Sequence, residues 1–164
     1  MSASEVFRAL WAIHSDHKAK AQAIAFVEKW RTKLREGAKE LSSFEKQHDQ
    51  EFVRDFLAIF GFDASNIDFQ KAVKPKTGRT MWIDALAHNV AAIEVKSPGR
   101  GLDDAETQLK KYIRSLDKAE RPRYRIVSNF EHFRVCDIHA DKQIDFSLEE
   151  FPNYIEQLHD ITPS

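Results

Sequence analysis

The sequence predicts an α/β fold in which a central mixed β-sheet is flanked by helices, with a helical segment at the N-terminus. Three observations carry this. Residues 4–14 and 17–35 space their apolar side chains as helices do. Five later stretches are rich in β-branched and aromatic residues, as strands are. One further amphipathic stretch separates the first three of these from the last two, which puts helices and strands in one sandwich.

In chain order, Ala23, Phe26, Val27 and Trp30 form the stripe of the second helical stretch. Ser42-Ser43-Phe44-Glu45 predicts a new helix start, with Ser42 and Glu45 at capping-box positions. Phe52, Phe56, Ile59 and Phe60 give that helix an apolar face that reads as core, and Gly61 stops it. Ile67 to Val73 is a first strand, and KPKTGR is a loop broken by Pro75 and Gly78. Residues 80–86 and 90–96 form a hairpin turning at Ala87-His88-Asn89, and Ser97-Pro98-Gly99 ends it. Asp103 or Asp104 then caps a helix over about 104–117. YRIVSN and HFRVCDI are two more strands, 143–146 is a short edge piece, and 148–159 is a closing helix. Two parts are expected in one compact body: a helical segment at 1–40 and a core at 41–164.

Composition narrows the function classes. With 164 residues, 42% of them hydrophobic, the chain can bury a sizeable core. It has no apolar run of about 18 residues and no basic-then-apolar leader, so a soluble cytoplasmic protein without a membrane partner is expected. The single cysteine, Cys136, excludes an internal disulfide and a multi-cysteine zinc site; in its apolar strand it reads as inert core. Neither a Gly-x-Ser-x-Gly elbow nor a glycine-rich phosphate loop is present, which removes the serine-hydrolase and nucleotide-triphosphatase readings. His14 and His17 lack a third metal ligand, and His88-Asn89 lacks companion histidines, so all three read as surface. Net charge is −1, yet residues 71–125 hold 13 Lys/Arg against 7 Asp/Glu, while 137–160 hold 7 acidic residues and one lysine. That asymmetry permits a basic face for phosphate.

The chemistry concentrates in MWIDALAHNVAAIEVKSPG, residues 81–99, where apolar strands carry Asp84, Glu94 and Lys96. A charge placed in an apolar strand is costly unless paired or bound. In an antiparallel hairpin Asp84 lies opposite or diagonal to Glu94, and two close carboxylates repel unless a cation sits between them. Magnesium takes oxygen ligands and keeps several waters, so Asp84, Glu94 and the Val95 carbonyl can serve it. Lys96, beside them, can handle a water proton or phosphate charge; metal-assisted phosphodiester hydrolysis is the chemistry such a group serves. Gln108 and Tyr112, four apart on the next helix, share a face and can position water or phosphate.

Asp84, then Glu94-Val95-Lys96, then Gln108-x-x-x-Tyr112 resembles the PD-(D/E)XK nuclease superfamily. The chain is most similar to the N-terminal endonuclease domain of MmeI-like, type IIL restriction–modification enzymes. AFVEKW, EKQHDQEFVRDFLAIFGF, WIDALAHNVAAIEVKSPG, LDDAETQLKKYI and RPRYRIVSNFEHFRVCDI carry the likeness, over roughly residues 21–158. The resemblance implies a restriction-endonuclease-like core and a Mg2+-dependent double-strand DNA endonuclease, with Mn2+ as a substitute ion. Asp84, Glu94 and Lys96 would be its active triad, with Gln108 and Tyr112 in support. A glutamate from an N-terminal helix often completes such sites; Glu45 and Glu51 both qualify, and spacing does not choose. Lys71, Lys74, Lys76, Arg79, Lys110, Lys111, Arg114, Arg121 and Arg123 would hold the DNA backbone. Full-length members continue into an adenine methyltransferase and a target-recognition domain, which are the partners expected in a longer polypeptide; neither an Asn-Pro-Pro-Tyr motif nor an S-adenosylmethionine loop occurs in this sequence. Double-strand cutting needs two active sites or two nicks, hence an expected homodimer on DNA. The alternatives are a catalytically silent DNA-binding or docking module of a phage-defence system, and a structure-specific repair nuclease.

Overall fold

A computed structural model describes residues 2–163, and the side chains of all of these except 11–16. The two expected N-terminal helical stretches form one helix, α1 (Ala3–Glu36), since no glycine or proline interrupts them. A capping box does occur, but at Ser2 and Glu5: the Glu5 N–H donates to Ser2 Oγ at 3.2 Å, and the Ser2 N–H donates to Glu5 Oε2 at 2.8 Å. The first turns of α1 expose Val6, Phe7 and Leu10, whereas Ala23, Phe26, Val27 and Trp30 are buried. His17 is exposed; the side chain of His14 lies outside the described residues.

Helix α2 (Leu41–Ile59) begins without the expected Ser42–Glu45 box, and Glu40 at its N-cap makes no side-chain cap. The carboxylate that would have completed the box goes elsewhere: Ser97 Oγ donates to Glu45 Oε1 at 3.2 Å. After α2, Gly61 adopts φ +93, the left-handed conformation that glycine tolerates.

Six strands follow, β1 (Ile67–Val73), β2 (Met81–Ala87), β3 (Ala91–Val95), β4 (Tyr124–Ser128), β5 (His132–Asp137) and β6 (Lys142–Ser147), and they lie in the sheet in that order. All neighbours are antiparallel except β3 and β4. A parallel pair needs a crossover, supplied by α3 (Asp103–Arg114). The β2–β3 turn places Asn89 at φ 60, a conformation asparagine adopts more readily than most residues. At α3 the expected aspartate cap is absent: Leu102 is the N-cap residue, and Asp103, inside the first turn, takes the guanidinium of Arg134 at 2.8 Å instead. The helix also ends earlier than expected, where Arg121 donates to the carbonyls of Arg114 and Leu116 at 3.0 and 3.2 Å. The closing helix expected over 148–159 is instead two short 3-10 turns, Phe151–Tyr154 and Glu156–Leu158. Pro152 sits in the first of these, and Phe151, Ile155, Leu158 and Ile161 are buried at spacings of three to four residues.

Helices α1 and α2 cover one face of the sheet through a cluster that includes Phe26, Trp30, Phe52, Phe56, Phe130, Phe133 and Phe151. Helix α3 covers the other through Leu109, Tyr112 and Ile113 against Val73, Ile83, Leu86, Ala92 and Val127. No described helix is long and apolar enough to cross a membrane. Phe52 is the pivot of the aromatic cluster, with ring centroids 5.4 Å from Phe26, 5.1 Å from Trp30 and 4.6 Å from Phe130. Emptying this position leaves a cavity that rigid neighbours cannot refill, so Phe52→Ala should lose about 3–5 kcal/mol. Chemical denaturation with far-UV detection reads this directly; a loss below about 1 kcal/mol would mean the cluster is not packed as described.

Candidate active site

The charged residues of the hairpin meet where β2 and β3 part. Their pairing runs Ala87↔Ala91, Leu86↔Ala92, Ala85↔Ile93 and stops, so Asp84 and Glu94 occupy the next, unpaired position. There the carboxylate of Asp84 replaces the ladder: Oδ2 accepts the Val95 N–H at 2.8 Å. The irregularity extends into β1. Gln70, between the paired positions Phe69↔Ala85 and Lys71↔Ile83, has φ 53 and sends its amide toward Asp84 Oδ1 at 3.5 Å. Ile67, Phe69, Ala85 and Ala87 pack toward the aromatic cluster, but Val73 and Ile83 pack toward α3. Both strands therefore turn over at Gln70 and Asp84, and the hairpin changes face beside the acidic pair.

Glu94 is 4% exposed, and its Oε2 has no hydrogen-bond partner. Its Oε1 lies 3.5 Å from Lys96 Nζ, a side chain 20% exposed. Burial, and next the charge of Asp84, push the Glu94 carboxyl up to about 8, against the opposing pull of Lys96. Asp84 is also raised, by burial first and then by Asp49 and Glu45, with the Val95 N–H and Lys96 opposing. Lys96 is positioned by its own backbone, whose N–H donates to the Ser128 carbonyl of β4 at 2.8 Å.

Helix α2 brings Glu45 to this site and turns Glu51 away. Six residues at 100° each separate them by about 240° around the helix. Glu51 pairs with Lys29 at 2.9 Å and Lys33 at 3.7 Å, and the Lys29 hydrogen bond holds its carboxyl below the ordinary range. Sequence reasoning missed Asp49, whose half-buried carboxyl is raised by burial and by Glu45. The signal was available: Asp49 is one helical turn after Glu45, so both look the same way. Ser97 and Gln70 were also missed; Gln70 left no signal, because its role depends on a backbone irregularity.

The remaining expected residues divide. Gln108 Nε2 donates to the Tyr112 hydroxyl, and Tyr112 is buried in the α3 cluster, so the two engage each other. Lys71 pairs with Glu120 at 3.4 Å, Lys110 with Glu106 at 3.9 Å, and Arg123 with Asp137 at 2.9 Å and Asp160 at 3.7 Å. Arg121 is occupied by the end of α3. Lys74, Lys76, Arg79, Lys111 and Arg114 are exposed. His88 lies 3.4 Å from Asp68 at the hairpin tip, and Cys136 is buried.

A magnesium-sized cation fits this donor set. The unpartnered, buried Glu94 oxygen beside a second carboxylate is what such an ion satisfies. Among the described residues no group of three or more His, Cys, Asp or Glu forms a metal cluster; a cation here would have to be held by two carboxylates, a backbone carbonyl and water.

A mixed sheet clasped by helices, with buried Glu94, half-buried Asp84 and a lysine where its central hairpin parts, defines the chain as an α/β domain with an acidic pair at that opening. The chain belongs to the family of the MmeI N-terminal domain, whose model matches residues 19–163. Membership associates it with restriction–modification enzymes of the MmeI type. No curated protein and no solved structure matches it.

Proposed function

We propose that this domain is the cleavage module of a type IIL restriction–modification enzyme, a PD-(D/E)XK endonuclease that hydrolyses DNA phosphodiesters with Mg2+ or Mn2+. One observation carries the reading: beside the charges of Asp84 and Lys96, Glu94 buries an oxygen, Oε2, that has no hydrogen-bond partner, while its Oε1 faces Lys96. Asp84, Glu94 and the Val95 carbonyl would hold the ion, which when bound neutralises phosphate charge and acidifies water.

The chain's own groups supply the rest. The Val95 N–H fixes Oδ2 of Asp84, and only the long 3.5 Å contact from the Gln70 amide competes for Oδ1. Lys96 keeps an ammonium 3.5 Å from Glu94, where it can stabilise the charge that develops on a phosphate under attack. Glu45 and Asp49, on α2, add negative charge beside Asp84 that favours retention of the cation. Lys74, Lys76 and Arg79, exposed in the β1–β2 loop, would hold the DNA backbone without reading sequence. Adenine methylation and target recognition would belong to other domains of a longer polypeptide, and paired cutting to a second copy on DNA.

Calorimetric titration separates this enzyme from a silent docking module. Wild type should bind Mg2+ or Mn2+, and Asp84→Asn should weaken that binding by at least tenfold. Metal binding indifferent to the substitution, or absent from wild type, would remove the proposal.

A further inference from the structure

Trp82 is an indole that neither the core nor the acidic pair uses. It is 52% exposed, although its strand neighbour Ile83 is buried. Its partner in register is Ala72 on β1, too small to shield it, and β1 is the edge of the sheet. The loop that joins these strands exposes Lys74, Lys76 and Arg79. No acidic residue lies between Lys71 and Asp84, and among the described residues none of these three cations is in an ion pair, unlike Lys71 with Glu120.

Position gives this surface its meaning. Trp82 stands two residues before Asp84 on the same strand, a separation of about 7 Å, which matches about two base steps along one nucleic-acid strand. An aromatic face flanked by unpaired cations is the composition of a groove that tracks phosphates while stacking bases. The buried centre of a protein interface, by contrast, is depleted of charge.

We propose that Trp82 stacks on a nucleobase about two steps from the phosphate to be cut, while Lys74, Lys76 and Arg79 hold the adjoining backbone. The inference rests on the DNA reading above and adds to it a ligand: a base freed from its stack at a strand end, nick or distorted step. Because every base has a π-face, the contact discriminates by accessibility of the base and not by sequence.

The test uses 19F NMR of the chain carrying 5-fluorotryptophan, with the Trp82 resonance assigned by loss in Trp82→Phe. Blunt duplex and duplex with a single-stranded overhang are added in EDTA and again with calcium, and affinity is followed by fluorescence anisotropy. The Trp82 signal should move with the overhang substrate. Trp82→Ala should weaken overhang binding about 5- to 100-fold, with Trp82→Phe keeping most of it. The salt dependence should be unchanged in Trp82→Ala but flatter in Lys74→Ala and Arg79→Ala, by about one unit of slope per lost phosphate contact. An unmoved resonance together with wild-type affinity in Trp82→Ala would overturn the stacking role and leave the DNA reading intact. Wild type binding neither substrate would overturn both. Since the position is exposed, thermal unfolding of Trp82→Ala should match wild type, which separates lost contact from lost fold.

Discussion

Lys96→Ala should cut supercoiled plasmid at least 100-fold more slowly than wild type in Mg2+, with an unchanged unfolding midpoint and DNA affinity within a few-fold. The expectation follows from what the ammonium touches. Among the described residues it pairs with Glu94 alone, at 3.5 Å, and the side chain is 20% exposed, so its removal opens no sizeable core cavity. Losing it also takes away an opposing charge that holds the Glu94 carboxyl down, so Glu94 shifts higher still and keeps its proton more firmly. The substitution therefore acts twice, once on developing phosphate charge and once on the readiness of Glu94 to accept a cation. Deleting a single preorganised charge-stabilising group typically costs 10²–10³ in rate. Plasmid nicking and linearisation over time measure it, and wild-type cleavage by this variant would remove Lys96 from the chemistry.

The parts of this arrangement that were legible in the sequence are those set by local periodicity. Glu94 and Lys96 alternate with Ile93 and Val95, so a strand with one apolar face and one charged face follows directly. The hairpin partner, Asp84, follows from the turn at Ala87–Asn89. Elements fixed by tertiary bonds were less legible. Two helix starts shifted where a side chain that could cap locally had a distant partner, Glu45 with Ser97 and Asp103 with Arg134, and the end of α3 shifted where Arg121 folds back onto the carbonyls of Arg114 and Leu116. The choice between Glu45 and Glu51 needed to know which side of α2 faces the sheet, and Phe44, Phe52 and Phe56 settle that only once their partners are placed. The turnover of β1 and β2 at Gln70 and Asp84 had no local signature, since a positive φ at glutamine follows from its surroundings and not from its own preference.

Glu94→Gln should make the metal-free protein more stable in alkali. The Glu94 carboxyl is raised to about 8, first by burial and then by Asp84, while Asp84 itself is raised by burial, Asp49 and Glu45. A carboxyl that binds its proton more tightly folded than unfolded contributes stability below its ordinary value of 4.5 and loses it as pH rises toward 8. In EDTA, wild type should therefore weaken steadily across that window, because ionisation leaves a buried charge with only Lys96 nearby. Glutamine keeps the shape of the protonated acid and cannot ionise, so the variant should match wild type near pH 5 and exceed it near pH 8 by an amount on the order of a few kcal/mol. Magnesium should reverse the order. A cation that binds only the folded state raises stability with its concentration, so wild type should gain in Mg2+ at pH 8 while Glu94→Gln should gain little and cut no DNA. Thermal unfolding at several pH values, with EDTA and with Mg2+, reads all of this in one series. Parallel pH curves for the two proteins in EDTA would mean that Glu94 is not the buried, ion-starved group on which the site depends.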